Sequence, residues 1–121
     1  MKKVLLVDDK IQLLVLLKQI LNTHYEVILK TNGLEAIEWI QSGNLPDLIL
    51  TDIQMPLMDG MKFIKIIKES GLFSEIPIIV LSGRESSKDR IECLKAGATD
   101  YISKPFNPEE LLVRIEKVLE K

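Results

Sequence analysis

Five short apolar runs alternate along the chain with five longer stretches of helical periodicity. The runs are Lys3–Val7 (KVLLV), Tyr25–Lys30 (YEVILK), Asp47–Thr51 (DLILT), Ile76–Ser82 (IPIIVLS) and Asp100–Ser103 (DYIS). Segments this short and this rich in Val and Ile predict strands covered on both faces, as in a parallel sheet. Between and after them lie amphipathic stretches at Lys10–Asn22, Gly33–Ser42, Gly60–Ser70, Ser86–Ala96 and Pro108–Glu120. In the last, Leu111, Leu112, Ile115, Val118 and Leu119 recur at spacings of three and four, which is one apolar face of a helix. Asn32-Gly33, Asp59-Gly60 and Asn107-Pro108 each set a capping residue ahead of a helical pattern. Gly71 and Gly97 follow helical patterns, where a left-handed residue commonly ends a helix. The reading is five βα units in strict alternation, hence an α/β domain with helices on both faces of a parallel sheet.

Composition narrows this picture without changing it. The 121 residues are enough for one domain and too few for two with proper cores. Hydrophobic residues make up 46% and charged residues 28%, an ordinary globular balance. Sixteen basic against 18 acidic residues give a net charge of −2, so nothing points to nucleic acid as a partner. Cys93 is the only cysteine and is expected to be a buried thiol; no internal disulfide can form. The apolar run Val4–Val7 is too short for a signal-peptide core or a membrane span. A cytoplasmic protein with no membrane contact is expected.

In open α/β sheets ligands bind at the carboxyl ends of the strands. Asp8 and Asp9 end the first run, Asp52 the third, Ser82 the fourth, and Lys104 follows the fifth. Residues far apart in sequence are thus expected to converge on one rim. Carboxylates about 5 Å apart repel by roughly 3 kcal/mol per pair at an effective dielectric near 20. Such a cluster calls for a cation, and oxygen-only ligands favour Mg²⁺ or Mn²⁺. The lone His24 and lone Cys93 do not make a zinc set. With Lys104 as a fixed positive charge and Ser82 as a hydroxyl donor, the rim carries the parts that phosphoryl transfer needs.

At these residues the sequence resembles the receiver domain of two-component response regulators, over essentially the whole chain, residues 1–121. The resemblance rests on VLLVDD (Val4–Asp9), LILTDIQMPLMDG (Leu48–Gly60), IIVLSG (Ile78–Gly83) and KAGATDYISKPF (Lys95–Phe106). It implies a flavodoxin-like sheet of order 2-1-3-4-5. It implies Asp52 as the phosphoacceptor, taking the group from a sensor histidine kinase or a histidine phosphotransfer protein. Asp9, Asp52 and the backbone carbonyl of Gln54 would ligate Mg²⁺, with Asp8 acting mainly through water. Lys104 would pair with a phosphoryl oxygen, and Lys104-Pro105 is where the family usually has a cis peptide. Ser82 and Tyr101 would form the switch: the hydroxyl moves to the phosphoryl group and the ring turns inward behind it. The surface of the fourth helix, fifth strand and fifth helix would then repack and act on a downstream protein. Such a chain would be no enzyme with an independent substrate, and a monomer or weak dimer.

Lys10 departs from the commoner acidic or small polar residue after the acidic pair. Gln54 and Arg84 stand at positions that tune phosphoryl lifetime in the family. In the first helix Leu13, Leu16, Leu17, Ile20 and Leu21 are assigned to the core stripe. Ile11, Leu14 and Val15 then form a second stripe facing solvent, expected to dock a helix of the phosphodonor. Trp39, Phe63 and His24 receive no chemical role.

Rival classes fare poorly. A haloacid-dehalogenase-like phosphatase needs a second acid two residues after the nucleophile, where Gln54 stands. A flavodoxin-like cofactor carrier would meet repulsion between Asp8-Asp9 and a flavin phosphate. No GxxxxGK loop is present for nucleotide hydrolysis. The remaining alternative is a receiver that binds partners without being phosphorylated.

Overall fold

The computed structural model describes residues 1–83 and 87–120. The predicted helix start at Ser86 and the lifetime position Arg84 lie outside the described residues. The strands are β1 (Lys3–Val7), β2 (Glu26–Lys30), β3 (Leu48–Thr51), β4 (Ile78–Ser82) and β5 (Asp100–Ser103). The helices are α1 (Ile11–Leu21), α2 (Gly33–Gln41), α3 (Gly60–Glu69), α4 (Ser87–Ala96) and α5 (Pro108–Leu119), with a short 3₁₀ turn at Gly71–Phe73. All four strand pairings are parallel, in the order β2-β1-β3-β4-β5. The alternating pattern therefore gave the right elements, and the order agrees with the one the resemblance implied.

Strand side chains alternate between two cores. Leu5, Val7, Ile49, Ile78, Val80 and Tyr101 face the layer that includes Ala36, Phe63, Ile64 and Cys93, from α2, α3 and α4. Val4, Leu6, Leu48, Leu50, Ile79, Leu81 and Ile102 face Leu14, Leu17, Leu111 and Ile115, from α1 and α5. Both faces are covered, which is why the runs read as continuous apolar segments rather than as alternation.

The three predicted caps are made. Asn32 accepts from the Glu35 N–H, Asp59 from Lys62 and Asn107 from Glu110, at 2.9, 2.9 and 3.0 Å. Gly97, at φ 118°, ends α4 in the left-handed region, as its placement suggested.

The first helix corrects the sequence reading. Leu14 is buried at 2% exposure, whereas Leu16 is 47% exposed. The buried row is Leu14, Leu17 and Leu21, spaced by three and four residues. Leu13 and Ile20 are half-buried beside it. With apolar residues at eight of eleven positions, several phases of a 3.6-residue period fit, and packing against β1 and β3 selects one. The outward apolar residues are Ile11, Val15 and Leu16.

Candidate functional site

The ladders continue one residue beyond the strands. Asp8 donates its N–H to Lys30 O at 3.1 Å, and Asp52 donates to Val7 O at 3.0 Å. Val7 pairs with Thr51, so Asp8 and Asp52 emerge side by side at the carboxyl ends of adjacent central strands. Thr51 pairs with Val80, which brings Ser82 two residues further toward the same rim. Ser82 pairs with Ser103, and Lys104 follows directly, its N–H bonded to Ser82 O at 2.8 Å. The convergence expected from the sequence is present.

Asp8, Asp9 and Asp52 each offer a carboxylate oxygen within 4.8 Å of the others. Asp8 and Asp52 are buried and Asp9 is exposed, so the cluster opens to solvent on one side. Asp52 Oδ1 accepts the N–H of Ile53 at 2.6 Å and of Gln54 at 3.4 Å. Its Oδ2 faces Lys104 Nζ at 3.5 Å. Lys104 also lies 3.2 Å from Asp8 Oδ2, and Asp8 Oδ1 accepts the Lys10 N–H at 2.9 Å. Burial pushes the Asp8 carboxyl above its usual range; the Lys10 N–H and the Lys104 ammonium pull it back, and the charge of Asp52 adds to the rise.

Three carboxyl groups crowd round the single Lys104 ammonium. An all-oxygen, acid-rich cluster matches a divalent hard cation. The acidic cluster is therefore able to hold a metal.

The loop from Asp52 to α3 is fixed by close backbone approach. Gly60 donates its N–H to Ile53 O. A Cβ on Gly60 would stand 2.5 Å from both Asp52 O and Ile53 Cα. Within this loop Met58 N bonds Pro56 O at 2.7 Å across Leu57, which has φ 70° and is 77% exposed. That is a γ-turn in its strained, positive-φ form. The Lys104-Pro105 peptide is cis, as the resemblance implied.

Behind the rim, Ser82 is fully buried and Tyr101 is 3% exposed. The two side chains are hydrogen-bonded. Burial raises the Tyr101 hydroxyl above its usual pKa, opposed by the bond from Ser82; Cys93 and Asp89 add to the rise and Arg90 opposes it. The Arg90 guanidinium lies 5.4 Å from the Tyr101 ring centroid. Sequence reasoning did not single out Arg90, because nothing in its spacing separates it from other charges on a helix surface. Trp39 is half-buried, Phe63 fully buried and His24 exposed, each on or beside ordinary packing. No helix among the described residues is long and apolar enough to cross a membrane.

A doubly wound parallel sheet of order 2-1-3-4-5 carries this acidic rim, with a lysine and a buried hydroxyl on the neighbouring strands. Together they define a domain of the two-component signalling type. The chain belongs to the response regulator receiver domain family, whose pattern matches residues 4–116.

Among its relatives is histidine kinase P4 of Formosa agariphila, 40% identical over 117 residues, which are 97% of this chain and 8% of that protein. A chemotaxis response regulator, CheY4 of Vibrio cholerae, superposes with a TM-score of 0.90 at 35% identity, covering 98% of each chain. The receiver domain of a Pseudomonas aeruginosa sensor histidine kinase superposes with a TM-score of 0.90 at 29% identity, covering 99% of this chain and 98% of that one. That structure has a magnesium ion coordinated in its active-site cleft. The chain spans from 8% to about half of the length of the first curated relatives it matches, which are sensor kinases and response regulators.

Proposed function

We propose that this receiver accepts a phosphoryl group on Asp52 from a phosphohistidine of a sensor kinase or phosphotransfer protein. The observation that carries the reading is the split environment of the Asp52 carboxylate. One oxygen is held by two backbone N–H groups and the other is turned to Lys104 and the acidic cluster. Hydrogen bonds that fix the carboxylate plane leave Oδ2 as the oriented nucleophile. Its lone pair forms the new O–P bond while the P–N bond to the donor imidazole breaks, and the imidazole nitrogen keeps that electron pair. With the donor ring protonated on its other nitrogen, the products are an aspartyl phosphate and a neutral histidine.

Asp9, Asp52 and the Gln54 carbonyl would hold Mg²⁺, or Mn²⁺, with Asp8 contributing through water. When bound, the ion supplies charge neutralisation for the phosphoryl oxygens. Lys104 stands where its ammonium can shift from Asp8 and Asp52 to a phosphoryl oxygen, and Ser82 supplies a hydroxyl from β4. The change in this one charged group is then passed through Ser82 and Tyr101 to the α4–β5–α5 surface and a downstream protein. The outward residues of α1, Ile11, Val15 and Leu16, offer an apolar strip for a donor helix. The presence of a single, buried cysteine suits action in the cytoplasm.

Incubation with Mg²⁺ and phosphoramidate, read by intact mass, tests this. The unsubstituted chain gains one phosphoryl group, and Asp52→Asn gains none. If neither is labelled, the chain signals by binding alone; equal labelling of both would move the acceptor elsewhere.

A further inference from the structure

Strand β5 lies at the edge of the sheet, so Tyr101 depends on α4 for much of its cover. In that helix Cys93 is the one buried residue among those described, with Ala96 half-buried against the same core. Polar contacts to β5 add to this apolar packing. Arg90 makes two of them. Its guanidinium sits 5.4 Å from the Tyr101 ring centroid, within cation–π range, and its Nη2 lies 3.4 Å from Ser103 Oγ on the same strand. The ring it touches is 3% exposed and faces the core beneath α4.

We propose that Arg90 is a positioning residue for the phosphoryl-transfer site, holding Tyr101 turned in and thereby fixing where the Ser82 hydroxyl stands. The contact links α4 to β5. Arg90 thereby sets how firmly the ring stays inward. A cation–π contact at a partly exposed site shifts a two-state equilibrium by about two- to five-fold. The consequence for chemistry follows from preorganisation. An inward ring keeps Ser82 near the place it must occupy during transfer, so less rearrangement accompanies phosphorylation. This inference rests on the reading of Asp52 and Ser82 given above.

The chain has two tyrosines, Tyr25 and Tyr101, so 3-fluorotyrosine labelling gives two ¹⁹F signals that Tyr25→Phe assigns. In the unphosphorylated protein, Arg90→Ala raises the exposed fraction of the Tyr101 ring about two- to five-fold. Arg90→Lys, which keeps the cation, retains most of the inward state. Labelling by phosphoramidate and Mg²⁺ slows by a similar factor in Arg90→Ala, and in a Tyr101→Ala background the same substitution changes nothing. An unchanged ¹⁹F signal in Arg90→Ala overturns the proposal, as does equal slowing with and without the tyrosine ring. Failure of the unsubstituted chain to label at all would instead sink the reading of Asp52, while the ¹⁹F comparison still decides the role of Arg90.

Discussion

The Asp52 carboxylate is held on both oxygens by its neighbours. Two backbone N–H groups take one oxygen, and the loop that supplies them is closed by Gly60 against Ile53. A Cβ at residue 60 would meet backbone atoms at 2.5 Å, and backbone cannot yield as a flexible side chain does. Gly60→Ala is expected to cost about 1–3 kcal/mol of stability and to slow labelling by phosphoramidate. Unchanged denaturant midpoint and labelling rate would show that the loop relaxes freely. Elsewhere on the rim, Thr31 gives its N–H and hydroxyl to Glu35 at 3.1 and 2.8 Å, holding that carboxyl below its usual pKa. A carboxylate with a lowered folded-state pKa adds stability above its unfolded value and loses it as pH falls through the folded one. The thermal midpoint of Glu35→Gln should therefore lie below that of the unsubstituted chain at neutral pH, with the gap closing below about pH 4. A gap that persists in acid would mean the contact is not electrostatic. At this scale the charged rim was readable, because Asp, Ser and Lys at strand ends announce themselves. Leu57 was not: its positive φ is imposed by the turn between Pro56 and Met58, and a leucine carries no signal for that conformation.

Among the elements, α1 is where sequence and packing part. The strands were legible because burial on both faces makes each one a continuous apolar run. Capped helices were legible because Asn32, Asp59 and Asn107 mark their starts. The helix α1 has no side-chain cap at Lys10 and apolar residues almost throughout, so its phase is set by contacts that the sequence does not contain. The outcome exchanges Leu14 for Leu16 on the outward strip, which redirects the docking test. Leu14→Ala should cost about 2–5 kcal/mol, as a buried leucine truncated to alanine does. Leu16→Ser, on the exposed face, should change stability by less than about 0.5 kcal/mol. It should nonetheless slow transfer from a phosphorylated kinase domain that labels the unsubstituted chain, while leaving phosphoramidate labelling unchanged. Equal rates from the protein donor would remove α1 from the docking surface.

For the whole molecule, the fold's contribution is to gather charges from β1, β3 and β5 that no local segment could assemble. Because only the fold assembles the three carboxyl groups, a cation bound among them would stabilise the folded chain. At one hundred times its dissociation constant, free Mg²⁺ should stabilise the folded chain by about 2.7 kcal/mol. Asp9→Ala, which removes an exposed member of the cluster, should abolish most of that shift; an equal shift in both proteins would place the ion elsewhere. Acceptance of phosphate on Asp52 remains the claim on which the rest depends. Borohydride reduction of the freshly phosphorylated chain, followed by peptide mass spectrometry, reads the acceptor directly, since reduction turns an aspartyl phosphate into homoserine. Homoserine at position 52, dependent on Mg²⁺, is the predicted result. Reduction at another carboxylate, or at none in a chain that has gained phosphoryl mass, would contradict it.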